Sequence, residues 1–157
     1  MAIKDILKGC PLFFDLYDEE IAKITKDQSV LHFETDELII EEGQEGGEIY
    51  ILLEGIAELE KKTKGGTVKV EKLKQGEVFG LLIMLDSKQY GIDLRALTKV
   101  TVLELKHKDL LSLFGKNPRI FGIIAMNISR IMAKRLKAFQ IKLAEVKAEM
   151  AALKSTP

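Results

Sequence analysis

An α+β fold is predicted here, a barrel or sandwich of short strands preceded by N-terminal helices and followed by one long C-terminal helix. Short β-type runs recur from Val30 to Leu105 with glycine-containing turns between them. Helical patterns flank this region on both sides. From Arg119 to Lys154 no proline interrupts the chain, and its only glycine is Gly122.

The elements follow in order. Asp5 to Lys8 is a short amphipathic stretch stopped by Gly9 and Pro11. In PLFFDLYDEEIAKITKD, Asp15 or Asp18 is placed to cap a helix whose first turn carries Glu19 and Glu20, where negative charge suits the helix dipole. Ile21 and Ile24 form its buried side. Val30–Phe33 and Leu38–Ile40 read as strands around a turn at Thr35-Asp36-Glu37. Ile49–Leu53 is a further strand, and Lys64-Gly65-Gly66-Thr67 turns a hairpin between Ala57–Lys62 and Val68–Leu73. Val100–Leu105 closes the strand region, and a short helix from Lys108 to Phe114 precedes the long one.

At 157 residues, 46% apolar and 31% charged, the chain has the size and composition of one soluble domain. Neither a membrane-length apolar run nor a signal-peptide pattern is present in the sequence. The single cysteine, Cys10, excludes an internal disulfide and fits a reducing, cytoplasmic location. Net charge is zero but uneven: residues 1–60 hold 16 acids and 4 bases, residues 117–157 hold 2 acids and 8 bases. Because those bases are spaced rather than clustered, two solvated faces of opposite sign are expected, not a nucleic-acid surface. The competing reading is electrostatic binding by Arg130, Lys134, Arg135, Lys137 and Lys142.

The chain divides at residue 116. Within 117–157, Met132, Leu136, Phe139, Leu143, Val146, Met150 and Leu153 recur at alternating steps of 4 and 3. That is a heptad seam, and it predicts a coiled-coil homodimer. Within 1–116 the organising stretch is Gly76 to Thr98: a Gly-rich start, the apolar run Leu81–Leu85, a polar turn, then strand. It has the frame of an anion site, glycine before a short helix, yet no charged side chain between Glu77 and Asp86.

The order and spacing of PLFFDLYDEE, FETDELIIEEG, IYILLEG, GEVFG and RALTKVTVLEL resemble the cyclic nucleotide-binding domain, the fold of the bacterial cyclic-AMP receptor, over Pro11 to Leu136. Gly43, Gly55, Gly76 and Gly80 fall where that family keeps glycines, and Asp36 stands where it usually has one. The resemblance implies a β-roll or jelly-roll barrel (a double-stranded β-helix) with a dimerising exit helix. It also implies a phosphate-binding cassette in which an acid meets the ribose hydroxyl and an arginine clamps the cyclic phosphate. Here Leu81 takes the acid's place and Tyr90 the arginine's, with Gln89 for the preceding proline. The cassette is therefore expected to be degenerate, its remaining wall formed by Phe79, Gly80, Leu81, Leu82, Tyr90, Gly91 and Ile92. Leu81 and Tyr90 are expected to fill the old cavity. A different, less charged ligand is the alternative, and Lys88 with the helix N-terminus is the candidate for a rebuilt anion site.

Catalysis is not expected. His32 and His107 are separated in the strand order, so no metal-ligand set forms, and no nucleophile triad or P-loop is present in the sequence. Cofactor and metal are expected to be none. With no room after Lys154 for a helix-turn-helix, the output is expected to lie in a separate protein partner. The reading is a dimeric, non-enzymatic regulatory or scaffold protein, the alternative being a nucleotide or other small-ligand sensor with a rearranged pocket.

Overall fold

The computed structural model describes residues 2–85 and 88–156, the side chain of Met84 excepted. Helix α1 (Ile3–Lys8), a 3-10 turn (Pro11–Phe13) and α2 (Asp18–Thr25) lead into eight strands. These are β1 (Ser29–Phe33), β2 (Leu38–Ile40), β3 (Glu48–Glu54), β4 (Ala57–Thr63), β5 (Gly66–Leu73), β6 (Val78–Phe79), β7 (Asp93–Ala96) and β8 (Val100–Lys106). Helix α3 (Leu81–Leu85) lies between β6 and β7, and α4 (His107–Lys116) and α5 (Pro118–Ser155) follow. All strand pairs are antiparallel, in two four-stranded sheets ordered β1-β8-β3-β6 and β2-β7-β4-β5. This is the jelly-roll-like α+β architecture expected from the sequence.

Two cores explain the residue pattern. One fills the space between the sheets, with Ile40, Leu52, Leu59, Leu94 and Val102. The other lies between the outer face of the first sheet and the helices, where Ile49, Ile51, Leu53, Leu103 and Leu105 meet Leu12, Phe13, Ile120, Ile124 and Ile128. Strand β3 is covered on both faces, which is why IYILL is an unbroken apolar run rather than an alternating one. On the second sheet the alternation returns: Ala57 and Leu59 point inward, and Glu58 and Glu60 outward, opposite Arg95 and Asp93.

The outward carboxylates are nevertheless buried. Glu60 pairs with Arg95 at 3.0 Å, Glu58 with Lys69 at 3.4 Å and Asp93 with Lys62 at 3.4 Å. Arg95 also donates to the Asp36 carbonyl at 2.7 Å, so its guanidinium is committed to this outer face.

At the N-terminal end the cap differs from the sequence expectation. Asp15 occupies a left-handed turn (φ 65°), and Asp18 is the first helical residue of α2. The Glu20 carboxylate instead accepts from the Tyr17 N–H at 2.9 Å. Asp18 pairs with Lys4 at 3.4 Å and Lys8 at 3.3 Å, fastening α2 to α1, and these lysines hold its carboxyl below the ordinary range.

Helix α5 is long, about 57 Å at 1.5 Å per residue. Ile120, Ile124, Asn127 and Ile128 are buried, Ile131 and Met132 pack partly against the same core, and beyond Arg135 every described residue is exposed. Asn127 is the polar member of this face. Its side-chain amide donates to the Leu12 carbonyl at 3.0 Å and the Phe14 carbonyl at 2.7 Å, joining α5 to the 3-10 turn. Asn127→Leu is expected to lower stability by about 1–3 kcal/mol, because it leaves these carbonyls unpaired. Urea unfolding of the variant measures this.

Candidate functional site

The cassette is the chain from Phe79 to Ile92, of which Asp86 and Ser87 lie outside the described residues. Its first glycine, Gly80, has φ +88°, and a Cβ there would meet the Glu48 carbonyl at 2.8 Å. A side chain at 80 is therefore excluded twice, by backbone conformation and by close approach. Gly43, Gly55, Gly76 and Asp36 also have positive φ, at the positions the resemblance marked.

Tyr90 is the site's main side chain, 6% exposed. Its hydroxyl donates to the Glu48 carbonyl at 2.9 Å, and its ring covers Gly46 so closely that a Cβ at 46 would lie 2.2 Å from the ring. The backbone around it is tied to the β2–β3 loop. The Gly43 N–H donates to the Tyr90 carbonyl at 2.8 Å, the Tyr90 N–H to the Gln44 carbonyl at 3.0 Å, and Glu45 and Gln89 form a β-bridge. Tyr50 stands beside it, close enough for the two phenols to act on each other.

Both phenols are shifted upward. Burial raises the Tyr90 phenol most, with Glu48 and Glu104 adding negative field. Burial also raises Tyr50 far above its ordinary range, followed by Tyr90, Glu104 and Glu48. These phenols stay neutral at any physiological pH, and the surrounding field is negative.

The remaining wall residues divide. Phe79, paired with Tyr50 across β6 and β3, and Ile92 pack partly against the inter-sheet core with Tyr90 and Ile83. Leu81 is buried on the opposite side, in the helix-facing core with Val78 and Leu103. Leu82 is exposed, and so is Gly91, whose carbonyl accepts from the Lys61 ammonium at 2.7 Å. Thus Leu81 and Tyr90 do not share one cavity wall. Lys88 is exposed, and its carbonyl accepts from Gly46 at 3.4 Å.

Along the seam, Met132 packs partly against its own domain, whereas Leu136, Phe139, Leu143, Val146, Met150 and Leu153 are 44–76% exposed. His32 is hydrogen-bonded to Thr101 at 3.1 Å, and Cys10 is buried with its thiol pushed up to about 11. Among the described residues no group of three or more His, Cys, Asp or Glu is placed to hold a metal ion, and no helix is long and apolar enough to cross a membrane.

Gly46, the Glu48 carbonyl and Tyr50 were not legible as site members. A glycine in an acidic turn gives no sign of the ring above it, and a backbone acceptor leaves no mark in sequence.

The coupling between Gly46 and Tyr90 is measurable. Gly46→Ala alone is expected to cost about 1–3 kcal/mol by overpacking against the ring. In a Tyr90→Ala background the same change is expected to cost much less, so the double-mutant cycle is non-additive in urea unfolding.

Residues 30–117 match the family model described as the cyclic nucleotide-binding domain. A "cAMP-dependent protein kinase regulatory subunit" of Emericella nidulans is 35% identical over 109 residues, which is 69% of this chain and 26% of that protein. The "Cyclic AMP receptor protein" of Thermus thermophilus is 27% identical over 143 residues, 87% of this chain and 62% of that protein. The chain thus spans about a quarter of the fungal relative and under two thirds of the bacterial one. Among solved structures, the N-terminal domain of a transcriptional regulator from Streptomyces coelicolor superposes with a TM-score of 0.74 at 26% identity, covering 86% of this chain and 95% of that one. A cyclic nucleotide-binding domain from Methylobacillus flagellatus gives 0.82 at 18% identity, covering 91% and 81%, a likeness of fold.

Proposed function

We propose that this chain, which belongs to the cyclic nucleotide-binding domain family, is a dimeric regulatory module whose cassette does not hold a cyclic phosphate. Its action then passes through a separate protein partner. The observation that carries this reading is Tyr90, buried where the resemblance puts the clamping arginine and hydrogen-bonded to the Glu48 carbonyl.

The physical argument is one of charge. A cyclic phosphate buried here would meet a neutral phenol instead of a guanidinium, with Glu48 and Glu104 nearby. Leu81 offers no acceptor to a ribose hydroxyl and faces the other core. Hydrogen bonds to charged groups contribute about 1.5–3 kcal/mol each, so losing two weakens a micromolar site by about 10²- to 10⁴-fold, to roughly 0.1 mM or beyond. Arg95 offers no replacement, being engaged by Glu60 and the Asp36 carbonyl.

Titration of cAMP and cGMP into ligand-stripped protein is expected to give no saturable heat below about 0.1 mM. A second reading, a nucleotide sensor with a rearranged pocket, is favoured by the names of the relatives, a cAMP-dependent kinase subunit and a cyclic AMP receptor. Heat saturating at micromolar concentration would establish that reading instead.

The dimer rests on the exposed seam of α5. Six apolar side chains from Leu136 to Leu153 stand in water along one heptad stripe, the pattern that a second helix covers. Leu136→Lys with Leu143→Lys is expected to give a monomer in sedimentation, with helicity kept because lysine and leucine have similar helix propensity. A variant that stays dimeric would move the interface elsewhere.

A further inference from the structure

A groove of about 510 Å³ runs between the N-terminal segment, the β5–β6 edge and α5, and none of the described cassette residues lines it. Its size is within the range of small-molecule sites. The walls are apolar where Phe14, Val70 and Ile131 contribute, and the rim is basic: Lys8 and Arg130 are paired with Asp18 and Asp15, and Lys134, Arg135 and Lys142 stand with two carboxylates, Glu71 and Glu77.

Arg135 is the cation set deepest. Its guanidinium donates to the Val78 backbone carbonyl and closes no ion pair among the described residues, although Glu71 and Glu77 act on it at longer range. Five N–H donors in a rigid fork are far more than one carbonyl uses. Lys134 and Lys142, on the same side of α5 by helical spacing, are exposed and likewise have no carboxylate partner among the described residues.

We infer that this groove binds a free amphipathic organic anion, an acyl or aryl carboxylate, sulfonate or phosphate, with its head on Arg135 and Lys134 and its body against Phe14, Val70 and Ile131. The surplus of positive charge selects the sign of the ligand, and the apolar walls select its body. Enclosure by three elements suits a single molecule rather than a bilayer surface. Because the walls belong to both the N-terminal segment and α5, an occupant would bridge the two elements that Asn127 already joins.

The test is calorimetric titration of dodecanoate, below its micellar concentration, into the intact chain. Saturable binding at one per protomer is expected, weakened tenfold or more by Arg135→Gln and by Lys134→Glu. Lys99→Glu, away from the groove, is expected to leave it unchanged. Lys134 is exposed, so its variant keeps the test valid if Arg135→Gln fails to fold.

Equal binding of dodecylammonium would show a merely apolar surface and overturn the assignment. Unchanged affinity in Lys134→Glu would do the same, as would binding only to anionic lipid vesicles. Binding that appears only in the monomeric seam variant would mean that a second copy covers the groove, and would also overturn it. None of these outcomes bears on the cassette, which the cyclic-nucleotide titration reads separately.

Discussion

The geometry of the cassette depends on one wedge: the Tyr90 ring held over Gly46 by the hydrogen bond from its hydroxyl to the Glu48 carbonyl. This contact joins the segment before β7 to the turn before β3. Around it the Gly43 and Tyr90 amides bond across the same gap, and Gly80 brings the start of α3 against Glu48. A phenol suits the position because it brings apolar area and one donor that a single carbonyl satisfies. A shape that relatives would complete with a ligand is here completed by the protein's own side chain, on the reading proposed above.

The second constraint is that one sheet must serve two cores. Strands β3 and β8 are apolar on both faces because the first sheet separates the inter-sheet space from the helices. Leu81 and Val78 face the helices, and Tyr90 and Ile83 face the interior, so the cassette sits across the boundary between the two. Helix α5 belongs wholly to the helix side. Its covered face ends near Arg135, whose guanidinium meets the Val78 carbonyl just before the cassette. The structure therefore places the cassette, the N-terminal turn and the exit helix in contact through a short series of packed residues.

Much of this was readable from the sequence, for physical reasons. The Lys64-Gly65 hairpin, the short strands and the proline-free exit helix are local signals, and each lies within a residue or two of its expected bounds. Asp36 adopts the left-handed backbone (φ 72°) that its place in the pattern called for. Legibility failed where residue type does not determine facing. The run Leu81–Leu85 looks uniformly apolar, but successive helical residues point about 100° apart, so Leu81 is buried and Leu82 exposed. Nothing in the residue types of Glu58, Glu60 and Asp93 shows that cross-strand lysine and arginine cover them. Asn127 lay hidden in a basic helix, because its partners are backbone carbonyls more than a hundred residues away.

The central claim is that the cassette is held shut by its own tyrosine without a ligand. Native-state hydrogen exchange of the Gly43 and Tyr90 amides, with and without cAMP, measures this most directly. The account predicts protection comparable to that of the sheet amides in ligand-free protein, unchanged when cAMP is added. Near-unprotected exchange that slows on adding cAMP would contradict it, because the segment would then be open until a nucleotide closes it.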